Sequence, residues 1–185
     1  MRLYLSRSSA SPSTSTSTRR VDLTNATSDY NLQVGEEAII NFTSVLNVLL
    51  RITTNSSRLY EMFIYSSSST SSDYRILPNN TTYSSSFSWV GITWDSTSST
   101  PSYIAENNTN AFKLRAYSLS VVYAIIDTTS RIIQGFSGYR ATTGGVTRYS
   151  EFTSGWYSNL VDWTSLGTLI FGSSSTGHVL IRRLL

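Results

Sequence analysis

The chain has 185 residues and a net charge of +3, with 36 Ser, 24 Thr, only 14% charged residues, no Cys, one His and one Lys. No Cys and a single His exclude zinc fingers, iron–sulfur clusters and thiol catalysis. Lys113 follows Asn-Ala-Phe rather than a glycine-rich loop, which removes P-loop and Schiff-base chemistry.

The sequence pI of 9.3 reflects how few groups titrate. The Arg residues are scattered apart from Arg19-Arg20 and Arg182-Arg183, whereas a nucleic-acid footprint needs a basic stripe. With 39% apolar and 12% aromatic residues, the chain can build one core and is too aromatic for wholesale disorder.

Met1 to Arg7 lack the apolar centre of a signal peptide, and no stretch reaches the roughly 20 apolar residues of a membrane span. The chain therefore reads as soluble and made in a cytoplasm. Residues 6–18 are a Ser/Thr tract with nothing to bury; fully extended, they reach about 45 Å. Leu3, Tyr4 and Leu5 ahead of the tract form a small apolar knot, the anchor of an arm that docks on a neighbouring subunit. Residues 1–20 are thus expected to be an extended arm and 21–185 a folded domain. A frayed end, or a first strand followed by a long loop, are the competing readings.

Beyond residue 20 the sequence reads as strands separated by polar loops. Glu37 to Phe42, Val45 to Thr53 and Arg58 to Tyr65 are β-rich, and Phe87 to Trp94 follows. From Phe112 the pattern alternates, Phe112, Leu114 and Ala116 against Lys113, Arg115 and Tyr117, a period of two. Arg131 to Ala141 and Val146 to Phe152 flank Thr142-Thr143-Gly144-Gly145, a hairpin turn. Thr168 to Phe171 and His178 to Arg182, separated by Gly172-Ser-Ser-Ser-Thr-Gly177, read as a closing hairpin. Ser158 to Leu166 has room for a turn or two of helix. Nine or ten short strands predict an all-β protein, an antiparallel β-sandwich or jelly roll.

Candidate chemistry is sparse. His178 has no Gly-x-Ser-x-Gly elbow to serve. Glu36 and Glu37 are neighbours that a strand points to opposite faces; Asp127, Glu151 and Asp162 are the other acids weighed for a glycosidase pair. No calcium loop occurs, and the reading requires no metal or cofactor and no enzyme activity. Recognition has better material in Trp89, Trp94, Trp156 and Trp163 and 12 Tyr. Trp89 shares an alternation face with Phe87 and reads as core, while Trp94 and Gly155-Trp156-Tyr157 adjoin polar loops and read as exposed. Many Arg and Tyr beside one Lys match the composition of protein interfaces.

The C-terminal run Thr164-Ser165-Leu166-Gly167-Thr168-Leu169-Ile170-Phe171-Gly172, then Gly177-His178-Val179-Leu180-Ile181-Arg182-Arg183-Leu184, resembles the ending of small tailed-phage structural proteins. That resemblance implies a virion component: a cement or decoration protein on a capsid lattice, or a tail accessory protein. Its partners would be the major capsid protein or another virion protein, in a homo-oligomer, with neither nucleic acid nor membrane bound. Leu3, Tyr4 and Leu5 are then the arm anchors, and Trp94, Trp156, Tyr157, Arg182 and Arg183 the interface candidates. The alternative is a receptor-binding tail domain or carbohydrate-binding module, which predicts an exposed aromatic platform and a glycan ligand.

Overall fold

The computed structural model describes residues 19–55, 57–68, 72–80, 87–95, 100–109, 112–116, 119–141, 147–157 and 162–185. Strands make up 70% of it, and the one helical element among the described residues is a 3-10 turn at Pro78–Asn80. The expected all-β class holds.

The strands are β1 (Arg20–Asp22), β2 (Glu37–Leu49), β3 (Leu59–Ser68), β4 (Ser72–Leu77), β5 (Phe87–Asp95), β6 (Ser102–Thr109), β7 (Phe112–Ala116), β8 (Leu119–Asp127), β9 (Ile132–Ala141), β10 (Thr147–Tyr157) and β11 (Thr168–Arg183). They form a single sheet in the order β1-β2-β11-β3-β8-β9-β10-β5-β6, with β4 and β7 branching from β11. The sheet is mixed rather than purely antiparallel, because β1 runs parallel to β2, Val21 opposite Ala38. Arg20 therefore belongs to the sheet and not to the expected arm.

Several strand expectations need correction. Glu37 to Leu49 is one strand rather than two. The long segment from Phe112 divides into β7 and β8, while β4 and β6 leave no clear strand signal because Ser, Asp and Asn interrupt their apolar pattern. Asp162 to Leu166 is not helical. The Thr142–Gly145 turn lies outside the described residues.

The largest difference is at the C-terminus. The expected closing hairpin is one 16-residue strand, β11, lying in the middle of the sheet. Its Gly-Ser-Ser-Ser-Thr-Gly stretch is a bulged strand, with register shifts against β2 between Ile170, Ser175 and Gly177. Gly177 marks a close approach rather than a turn, since a Cβ there would overlap the Tyr65 carbonyl of β3. Thr176 Oγ1 accepts a hydrogen bond from the Ser44 amide at 3.0 Å, binding the bulge to β2. The bulge also lets β11 change neighbours. Thr168–Ile170 pair with β4, and Ser175–Arg183 pair with β3. The sheet therefore forks, and β7 approaches β9, β10 and β5 as well as its partner β4.

Alternation places Ile40 and Phe42, Met62 and Ile64, Val122 and Ala124, and Val179 and Ile181 on a buried inner face. Leu32, Leu50, Ile52, Trp163, Leu166 and Leu169 complete that core. Phe171 packs against Phe42 at 4.9 Å and edge-on against Tyr74 at 5.1 Å.

Candidate functional site

The same alternation that buries one face turns the other outward, and the strand registers align its side chains into a row. Tyr103 of β6 sits opposite Ile92 of β5, and Ile92 opposite Phe152 of β10. Phe152 faces Phe136 of β9, which faces Tyr123 of β8. Tyr123 faces Phe63 of β3, Phe63 faces Leu180 of β11, and Leu180 faces Ile39 of β2. Eight adjacent strands thus carry apolar or aromatic side chains across one transverse line. Phe136 is 51% and Phe152 42% exposed, both at the middle of the row. A sheet with one wet face normally alternates apolar-in and polar-out; this one carries an apolar row across its outward face as well.

Flanking positions extend the surface. Trp94 and Trp156, each 45% exposed, sit on the outer parity of β5 and β10, with Val90 and Val121 nearby. Tyr65 stacks on His178 at 5.4 Å, the two lying directly opposite on β3 and β11. The expected exposure of Trp94 and Trp156 is therefore met, whereas Trp163 is buried in the core. Trp89 and Tyr157 lie on β5 and β10, but their side chains, like Leu3, Tyr4 and Leu5, fall outside the described residues.

At the β2–β11–β3 end the outer face is charged but balanced. Arg20 Nε donates to Glu37 Oε1 at 2.6 Å, and Arg182 reaches Glu37 at 3.3 Å and Glu61 at 3.5 Å. Tyr123 donates its hydroxyl to Glu61 at 2.6 Å, and that bond to a carboxylate raises the phenol's pKa above its ordinary value. Two arginines and two glutamates neutralise one another around a 210 Å³ hollow lined by Glu37, Glu61, Phe63, Tyr123, Leu180 and Arg182. Arg182 is thus engaged within its own chain. Arg183 is too: its guanidinium donates to the carbonyls of Leu32 at 3.0 Å and Leu185 at 2.8 Å.

The acids considered for catalysis do not converge. Glu36, just ahead of β2, accepts from the Gln33 amide at 2.9 Å and pairs with Arg19 at 3.4 Å, while Glu37 is held by Arg20 and Arg182. Asp127 has outer parity and caps a turn, accepting from the Thr129 amide at 2.9 Å. Glu151 is fully buried on the inner face with Thr93. Asp162 pairs with Arg131 at 3.2 Å in a loop. No group of three or more metal-ligating side chains occurs among the described residues. A second hollow, of 500 Å³, opens along β2 between Leu23–Ala26 and Ile40–Leu49, beyond the three residues paired by β1.

Comparison with protein-family models, curated proteins and solved structures finds no match for this chain.

Proposed function

We propose that this chain is a structural assembly protein of a virion, a cement or decoration protein that binds a capsid lattice through protein–protein contacts. In this reading the forked sheet is a jelly-roll-like sandwich, the β4–β7 branch forming its second layer. The observation that supports it is the eight-strand apolar row. A face of that length, aromatic at its centre and with its Arg and Glu side chains paired at one end, has the anatomy of an interface core. The C-terminal resemblance supplies the virion setting. Aromatic anchors in the middle, Phe136 and Phe152, are where truncation costs most in protein interfaces.

The test is mass spectrometry of particles purified from the producing cells. The protein is expected there at a fixed ratio to the major capsid protein; its absence sinks the virion setting. In reconstitution, Phe136→Asp is expected to lower particle occupancy at least tenfold, the order seen for interface hot spots. Deleting residues 1–18 is expected to weaken seating through loss of avidity.

One observation favours a second reading. Trp94, Trp156 and Tyr103 are exposed on one sheet face, the arrangement by which a carbohydrate-binding module stacks sugar rings. Glycan-array binding by the isolated chain, lost in Trp94→Ala and Trp156→Ala, decides for that reading.

A further inference from the structure

We infer that the occupant of the outer face is a second copy of this chain, the two sheets stacking face to face about a two-fold axis. The inference rests on the proposed role of that face as an assembly contact and names its partner: the row joins two copies, and the pair seats on the lattice bivalently through its remaining surface.

Among the described residues the chain supplies a cover for only one side of the sheet. Leu32, Leu50, Trp163 and Leu166 close the inner face, and among the described residues nothing equivalent lies over Phe136 and Phe152. Sheets that are apolar on both faces are stable when both are covered, and sheets pack face to face at about 10 Å. An identical face brings the missing layer.

Its size suits that role. Eight strands at about 4.8 Å spacing, with about five residues each at about 3.4 Å, cover about 650 Å² per copy, or about 1,300 Å² for the pair. Stable specific interfaces begin at about 1,200 Å². A membrane surface or a strongly charged protein would call for a net charge on the face. Here Arg20, Arg182, Glu37 and Glu61 cancel and Asp127 stands four residues away from the row, so the row itself brings no repulsion between copies. Turning one copy over about an axis along the strands, between β8 and β9, sets Phe136 over Tyr123 of the other. The same rotation lays the ion-paired end of one face over the tryptophan end of its mate, where guanidinium and indole attract.

The test is sedimentation equilibrium of the full chain beside the double variant Phe136→Asp/Phe152→Asp, with circular dichroism confirming the fold. Both rings are substantially exposed, so the substitutions spare the core. The wild type is expected at twice the 20.5 kDa chain mass, and the variant at the single mass, with dimer affinity lowered at least about 100-fold.

A second measurement locates the contact. Ser130 is exposed in the turn between β8 and β9, off the face, and the chain has no Cys, so Ser130→Cys carries a single spin label. Face-to-face stacking predicts labels within about 25 Å, whereas edge pairing through β6 separates them by about 38 Å. A wild type that stays monomeric, or a dimer with the longer distance, overturns the inference. If a monomeric wild type binds particles and the double variant does not, the contact-surface reading survives and only self-stacking fails. A dimer that the double variant leaves intact overturns both.

Discussion

Gly167 shows how much of this fold depends on single backbone positions. Its φ of +77° suits glycine, and a Cβ there would overlap the Leu77 carbonyl just before β11 begins. A left-handed backbone costs a substituted residue about 1–2 kcal/mol before any overlap. Gly167→Ala is therefore expected to lose at least about 2 kcal/mol of unfolding free energy by urea titration. Tyr60 makes a different residue-scale prediction. Its hydroxyl donates to the Thr53 carbonyl at 3.1 Å, and burial raises its pKa above the ordinary value of 10.0. The neutral phenol is the form the fold favours, so the associated stability is complete below pH 10.0 and falls as pH rises through the elevated folded value. Unfolding curves measured from neutral to alkaline pH are expected to show a steeper loss in the wild type than in Tyr60→Phe. Equal slopes would assign the loss to other groups.

Among the elements, β11 carries the most consequence. It pairs on one flank with β2 along most of its length and on the other with β4 and then β3. Without it the sheet separates into three parts: the β1–β2 pair, the β4–β7 pair and the run from β3 to β6. Removing residues 176–185 is accordingly expected to abolish cooperative thermal unfolding, unlike loss of an edge strand such as β1. Leu169, fully buried in β11 at the fork, tests the same element more gently. Leu169→Ala is expected to cost about 2–5 kcal/mol, the range for large-to-small changes in a packed core. A cost under about 1 kcal/mol would mean the fork is loosely packed.

For the whole molecule, the question is what an apolar row across the outward face of a sheet does in water. Binding of one folded copy to another stabilises both by mass action. The wild-type thermal midpoint is therefore expected to rise with protein concentration, and that of Phe136→Asp/Phe152→Asp to stay constant. A concentration-independent midpoint in both would leave the outer face for a different partner.

Local pattern alone determined the all-β class, because a two-residue period is written directly in Phe112 to Tyr117 and short β-rich runs alternate with Ser-rich spacers along the chain. It also marked Trp94 and Trp156 as exposed. Side-chain composition could not reveal that Gly172 to Gly177 is a bulge, because the same residues that make turns also permit close strand approach; only the position of Tyr65 opposite Gly177 distinguishes them. Nor could it reveal the outer row. Phe63, Tyr123, Phe136 and Phe152 each read as ordinary strand residues, and what aligns them is the register of β3, β8, β9 and β10. Register is set by pairing between segments far apart in sequence, so the surface that defines this protein's proposed role exists only after the chain has folded.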